Sequence, residues 1–280
     1  MKVIIGIDVG GSTTKIVGFT QDGSLIAPMN VTAADPLTSL YGAFGKFTAE
    51  NDIALGDIEQ ILLTGVGSSY IKNDIYGVPG KCVSEFECIG LGGLFLSRLE
   101  KAIVVSMGTG TAIVYAEHGK ASKYLGGTGV GGGTLLGLSK KLLGMNDVMH
   151  ISNLASEGNL DHVDLRIRDI SREDTLPGMP EEMTAANFGN VSDIATNADI
   201  ALAILNMIFE TVGMCAIFNA RNYGITDIVL TGNLTSIPQA RSIFNTLNAM
   251  FGVNFIIPEL AQYGPAIGAA LSVLPSVKSI

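Results

Sequence analysis

Two short runs of glycine and hydroxyl residues carry the chemical signal of this 280-residue chain. In the first, Asp8-Val9 leads into Gly10-Gly11-Ser12-Thr13-Thr14-Lys15; in the second, Ser106-Met107 leads into Gly108-Thr109-Gly110-Thr111. Facing one another, two such turns would offer backbone N–H groups, small hydroxyls and a lysine to a polyphosphate, and glycine permits the close approach. Asp8 suits Mg²⁺, directly or through water, and Lys15 suits the counter-charge to phosphate. The expected chemistry is phosphoryl transfer from ATP. A single glycine turn is also an ordinary hairpin, but packing alone does not explain why the same turn recurs.

Further candidates need the same weighing. The run at residues 126–133 contains a Gly-x-Gly-x-x-Gly at Gly127, Gly129 and Gly132. It lacks the long preceding strand and the closing acid of a dinucleotide fingerprint, so it reads as a helix start whose N–H groups and dipole favour an anion. No Gly-x-x-x-x-Gly-Lys-Ser/Thr run exists, which excludes a P-loop. Glu85 and Glu87 are acids near a helix start, where the dipole favours them anyway. Asn233, in Thr231-Gly232-Asn233, either shapes the turn after a strand or holds an adenosine. Arg166 and Arg168 are either solvated charges or partners of an acidic substrate or a neighbouring subunit. His118, His150 and His162 have no metal-ligand spacing.

The elements that must position these residues follow from periodicity. The apolar runs 3–7 and 102–106 read as buried strands, each followed by its turn, a returning strand and a hairpin signal at Asp22-Gly23 or His118-Gly119. Asp35-Pro36 reads as an N-cap and first helical residue, opening a helix to about residue 51. Strand 58–63 ends at Thr64-Gly65-Val66-Gly67-Ser68-Ser69, a loop where ligand groups often sit at the carboxyl end of an α/β strand, and Glu85 opens a helix to about residue 99. A short strand at 122–125 feeds the glycine run, and a helix follows at 135–143. Residues 146–190 read as an irregular insert that helps form the substrate pocket. Then come a long apolar helix at 197–222, strand 225–230, helix 238–251, strand 253–257 and a closing helix 264–274. The pattern is α/β with two related halves, divided as 1–98 and 99–280.

Composition narrows the function classes. The 47% apolar content allows a large core, and 35 glycines suit many tight turns near a ligand. A net charge of −9 argues against a general nucleic-acid binder. Cys82, Cys88 and Cys215 are too few and irregular for a disulfide framework or zinc site, which fits a reduced cytoplasmic location. No signal peptide is expected, and no apolar stretch is expected to reach the roughly 18 residues of a membrane span.

Taken in order, Asp8-x-Gly10-Gly11-Ser12, Gly108-Thr109-Gly110-Thr111, Thr231-Gly232-Asn233 and Gly264-Pro265-Ala266-Ile267-Gly268-Ala269-Ala270 resemble the actin, Hsp70 and sugar-kinase ATPase superfamily. Within it the chain resembles the type II (eukaryotic-like) pantothenate kinases. That likeness rests on Ser84-Glu85-Phe86-Glu87, residues 126–133, Asp164-Leu165-Arg166-Ile167-Arg168 and Thr184-Ala185-Ala186-Asn187-Phe188-Gly189.

The resemblance implies two ribonuclease H-like domains with a cleft between them, ATP and Mg²⁺ as cofactors, a homodimer, and phosphorylation of the primary hydroxyl of pantothenate, the first step of coenzyme A synthesis. CoA or acyl-CoA is an implied further ligand, while nucleic acid and membrane are not. Glu85 falls at the family's catalytic base. Asp8, Gly10, Gly11, Ser12, Thr13, Thr14, Lys15, Gly108, Thr109, Gly110, Gly132, Gly133, Thr134, Leu135, Leu136 and Asn233 fall on nucleotide-contacting segments, and Thr109, Tyr124 and Gly127 on the acceptor side. At Tyr124 the chain departs from the family's usual arginine. Two other readings share the superfamily: an ATPase activator of a 2-hydroxyacyl-CoA dehydratase, which uses cysteines on an iron–sulfur cluster, and a non-catalytic sensor of nucleotide or acyl-CoA.

Overall fold

A computed structural model describes residues 2–11, 13–32, 35–71, 74–171 and 180–274; Ser12 and residues 172–179 of the insert lie outside them. The chain opens with an antiparallel meander of β1 (Val3–Val9), β2 (Thr14–Thr20) and β3 (Leu25–Val31). After α1 (Pro36–Glu50), β4 (Ile58–Thr64) returns parallel to β1, β5 (Gly80–Cys82) adds an edge, and α2 (Glu85–Ser97) follows. A second meander is built from β6 (Lys101–Met107), β7 (Thr111–Glu117) and β8 (Lys123–Thr128).

Next come α3 (Gly132–Leu143), α4 (Val148–Ala155) and a small ribbon of β9 (Leu165–Arg166) and β10 (Thr184–Ala186), with the four-residue α5 (Ile167–Ile170) between its strands. The 27-residue α6 (Asn197–Tyr223) leads to β11 (Asp227–Thr231), parallel to β6. The chain then forms α7 (Pro238–Phe251), β12 (Asn254–Ile256) and α8 (Gly264–Leu271). The sheet orders β3-β2-β1-β4-β5 and β8-β7-β6-β11-β12 have the same connectivity, so the expected pair of related halves is present.

Three expectations about the glycine run and the insert are corrected. β8 runs to Thr128, so Gly126 and Gly127 belong to a strand and not to a loop. The helix after the glycine run begins at Gly132, three residues earlier than the apolar pattern suggests, because glycine carries no hydrophobic signal. The insert is also more regular than its composition implies, with α4 and the β9–β10 ribbon inside it.

All seven residues of β1 are buried, because both faces of its sheet are covered. Alternation sends Val3, Ile5, Ile7 and Val9 toward Phe44 and Phe47 of α1, and Ile4 toward Ala266 and Ile267 of α8. β6 repeats this: Ile103, Val105 and Met107 pack with Ile204 and Ile208 of α6, while Ala102 and Val104 pack with Ile89 and Leu94 of α2. Thus α8, last in sequence, lies on the first sheet, and α2 lies on the second.

The two helices also pack on each other. A Cβ on Gly268 would stand 1.8 Å from the carbonyl oxygen of Cys88, and one on Gly92 would stand 1.9 Å from that of Gly264, so only glycine admits this approach. Dividing the chain after residue 98 therefore keeps each sheet whole while the halves exchange a helix.

α6 corrects the expectation about spanning length. It is long and apolar enough to cross a membrane, with a mean hydropathy of 2.0 over its most apolar window. Its apolar residues, including Ile204, Leu205, Ile208 and Phe209, form the core beneath the second sheet. A helix that is apolar nearly all round is buried in this way in a large core.

Candidate active site

The carboxyl ends of β1, β4, β6 and β11 converge on a cleft cavity of about 300 Å³. Both glycine turns reach it, together with Glu85 from the first residue of α2 and Pro265 from the first turn of α8. The N-terminal ends of both helices therefore border the cavity, and each dipole favours negative charge there.

The first turn supplies charge. Asp8 and Lys15 sit opposite each other in the β1–β2 register, and their side chains meet at 3.4 Å between Nζ and Oδ2. Both are buried, at 7% and 5% exposure, although both line the cavity. Burial pushes the Asp8 carboxyl above its ordinary value, and the Lys15 ammonium opposes that shift. The loop after β4 presses on the pair: Gly65, at φ 84°, stands where a Cβ would lie 2.5 Å from Asp8 Oδ1.

The second turn supplies backbone and hydroxyls. Ser106 and Ala112 occupy the register positions that Asp8 and Lys15 hold in the first half. Gly108 N donates to Gly110 O at 2.9 Å, closing the turn, and Thr111 Oγ1 donates to Val130 O at 2.8 Å. The turns face each other across the cleft, since a Cβ on Gly11 would lie 3.6 Å from Thr109 Oγ1. Asn233 Nδ2 donates to Thr13 Oγ1 at 3.3 Å and ties the second half to the first.

Ten of the sequence-assigned residues line the cavity: Asp8, Gly10, Gly11, Thr13, Lys15, Glu85, Gly108, Thr109, Gly110 and Asn233. Ser12 lies outside the described residues. Thr14 is buried with its hydroxyl unpartnered, as alternation along β2 turns it away from Lys15.

At the start of α3, backbone donors expected to cradle an anion are engaged within the chain. Gly132 N donates to Gly108 O and Gly133 N to Thr109 O, each at 2.8 Å, so these donors brace the second turn. Thr134 Oγ1 accepts from Gly131 N and donates to Gly129 O. Leu135 is fully buried in the core, and Leu136 packs against it. Tyr124 and Gly127 stand outside the cavity lining, where Tyr124 stacks on Phe86.

Glu85 is the third charged group at the cavity. Partial desolvation raises its carboxyl above the ordinary glutamate value, the Asp8 carboxylate adds to that, and Lys15 opposes it. Glu87 serves the framework, since its Oε2 accepts from Ser122 N at 2.8 Å and holds the start of β8 to α2. Arg166 and Arg168 both pair with Asp161 and Glu182 beside the β9–β10 ribbon, away from the cleft. His162 meets Asp199 at 3.1 Å, where it supports the start of α6.

Of the eight other lining residues, Gly65 and Val66 lie in the loop after β4, Ser106, Thr111, Thr128 and Gly232 lie in runs singled out from the sequence, and Ala112 and Pro265 had no assigned site role. A signal for the first was present: Thr64-Gly65 and Thr231-Gly232 end equivalent strands, pair with Asp8 and Ser106 in register, and hold glycines at φ 84° and 92°.

The Fumble family model matches residues 99–254. A type II pantothenate kinase of Staphylococcus haemolyticus is 30% identical over 278 residues, covering 95% of this chain and 98% of that protein. The chain belongs to the type II pantothenate kinase family. Among solved structures, the activator of the 2-hydroxyisocaproyl-CoA dehydratase from Clostridium difficile, with bound ADPNP, aligns at a TM-score of 0.67 and 16% identity, covering 97% of this chain and 94% of that one. A ROK family glucokinase of Streptomyces griseus, in complex with glucose and AMPPNP, aligns at 0.61 and 12%, covering 96% and 98%. At such identities these two establish the actin-like ATPase fold, and the family rests on the kinase match.

Proposed function

We propose that this type II pantothenate kinase family member transfers the γ-phosphoryl group of ATP to the primary hydroxyl of pantothenate. One observation carries the reading: both glycine turns, the Asp8–Lys15 pair and Glu85 open into the same cavity. The turns from the two halves cradle the phosphates, with Lys15 placing positive charge at the polyphosphate. Glu85 accepts the proton of the acceptor hydroxyl as its oxygen bonds to the γ-phosphorus; the bond from that phosphorus to the β–γ bridging oxygen breaks, and ADP leaves. The raised Glu85 pKa suits a base that must take up a proton near neutral pH.

Mg²⁺ fits the donor set. Asp8 and Glu85 are carboxylates on one small cavity, and magnesium is commonly held by one or two carboxylates together with substrate phosphates and water. Asp8 would hold the ion directly or through water, and an ion bound there would supply neutralisation of phosphate charge.

The dehydratase-activator alternative shares the fold but asks for cysteine ligands. Cys88 is buried beneath α8, and its thiol is pushed up to about 12, chiefly by desolvation, which disfavours the thiolate a metal requires.

The test is coupled ADP release with pantothenate as acceptor. Glu85→Gln is expected to lower turnover by about 10²-fold or more while ATP binding, read by calorimetry, persists. Full activity in that variant would remove Glu85 from the mechanism.

A further inference from the structure

Glu85 is the first residue of α2, and among the described residues none hydrogen-bonds to its carboxyl. Its aim is therefore set by how the start of the helix is held. The local sequence, Ser84-Glu85-Phe86-Glu87, spells a capping box. In such a box the N-cap hydroxyl takes the N–H of the third helical residue, and that residue's acid reaches back to the N-cap N–H.

At α2 the box does not form. Ser84 makes no side-chain cap bond, and Glu87 gives its Oε2 to Ser122 N of the β7–β8 connection, at 2.8 Å. A related pattern closes as expected at α6, where Thr196 Oγ1 accepts from Asp199 N at 3.3 Å and Asp199 Oδ2 accepts from Thr196 N at 2.8 Å. The acid at α2 is diverted from its local partner to a group 35 residues away.

That bond also joins the two halves. α2 precedes residue 99 but lies on the second sheet, with Ile89 and Leu94 packed among Ala102 and Val104. A Cβ on Gly90 would stand 2.1 Å from Ser122 Oγ, so helix and hairpin are already in close contact there. Residues 88–90 are buried, whereas residues 84–86 are exposed. Packing thus fixes the helix from its second turn onward, and a first turn without a cap is free to fray. The Glu87 bond extends the hold into that turn, two residues from Glu85.

We propose that Glu87 is a positioning residue for the reaction: by spending its carboxylate on Ser122 N in place of a capping box, it ties the first turn of α2 to the second half and so sets where Glu85 points in the cleft. The proposal rests on the reading of Glu85 as the base on the acceptor hydroxyl. Glu87 lies outside the cavity lining and touches no reacting atom.

The experiment measures kcat for ADP release at saturating ATP and pantothenate in Glu87→Gln, Glu87→Asp and Glu87→Ala, and again with Glu85→Gln added to each. The amide oxygen of glutamine accepts the same N–H, so Glu87→Gln should keep kcat within about twofold of wild type. Aspartate is one methylene shorter and alanine has no acceptor, so each should lose about tenfold in kcat, with the KM for ATP unchanged. In the Glu85→Gln background those losses should vanish, because a residue that acts through Glu85 has nothing left to aim. Glu87→Asp keeps an acid at the capping-box position and should melt near wild type, so its loss of turnover is read on a folded enzyme.

Wild-type kcat in Glu87→Ala would overturn the proposal. So would the reverse order, with the aspartate variant active and the glutamine variant inactive, which is the mark of an acid or base and not of a tie. Losses that persist in the Glu85→Gln background would overturn it as well, since they belong to general support of the fold. Full activity of Glu85→Gln, or no transfer to pantothenate by wild-type enzyme with ATP still bound, would overturn the functional reading and this inference with it.

Discussion

The two glycine turns share a register and differ in charge. In the first half the penultimate pair of the β1–β2 hairpin is Asp8 with Lys15; in the second the corresponding pair is Ser106 with Ala112. Both pairs line the same cavity, and the parallel neighbour of each turn ends in Thr-Gly with a left-handed glycine. The backbone cradle is thus present twice, and the buried ionic pair once. Duplicated topology provides two turns that face the cavity, whereas the charged side chains that line it, Asp8, Lys15 and Glu85, all come from the first half. An ion pair held out of water is tolerated because each partner answers the other, and the neutral pair opposite shows that the turn itself does not require it.

Breaking that asymmetry gives the largest expected effect. Lys15→Met leaves the Asp8 carboxylate buried without its counter-charge and is expected to destabilise the protein by about 3 kcal/mol in denaturant unfolding. Adding Asp8→Ser, which makes the first turn neutral like the second, should recover most of that stability loss. If the double variant is no more stable than Lys15→Met alone, the pair is not what sets the cost.

A middle-sized effect tests what the halves share. Gly65→Ala and Gly232→Ala each place a Cβ about 2.5 Å from neighbouring atoms at positive φ. Each should destabilise by roughly 2 kcal/mol, and the two by similar amounts, in thermal or chemical unfolding. A large inequality would show that the equivalent loops carry different strain.

The smallest effect concerns titration. The Asp8 carboxylate disfavours ionisation of Glu85, so Asp8→Asn should move the Glu85 carboxyl titration, followed by ¹³C NMR, to lower pH. Ser106→Ala, on the uncharged side, should leave it in place. In the native enzyme, kcat/KM should fall with decreasing pH along a limb above the usual glutamate range, because the base is lost as Glu85 takes up its proton. A limb at or below that range would contradict the desolvated setting of Glu85.

The repeated strand–turn–strand units, the Asp35 cap of α1 and the bounds of α7 were legible because each depends on residues close in the chain. Asp35 Oδ2 accepts Thr38 N at 2.7 Å, the local bond that its residue type predicts. The glycine run was harder to read. Glycine fits a strand, a turn or a helix start, so Gly126, Gly127 and Gly132 could be sorted only by their distant partners. What was misjudged in α6 is its spanning length, which hydropathy alone does not tell apart from that of a core helix.

By itself, the order of residues determined the two turns, their glycine and hydroxyl chemistry, and the candidates Asp8 and Lys15, because strand period and turn preference act over a few residues; Glu85 stood out only through the resemblance to the kinase family. Tertiary structure alone decided that Gly132 and Gly133 spend their N–H groups on the second turn, that α2 and α8 cross between the sheets, and that Tyr124 meets Phe86. Which donors stay free, and which carboxyl is desolvated, depends on what packs against a group from far along the chain.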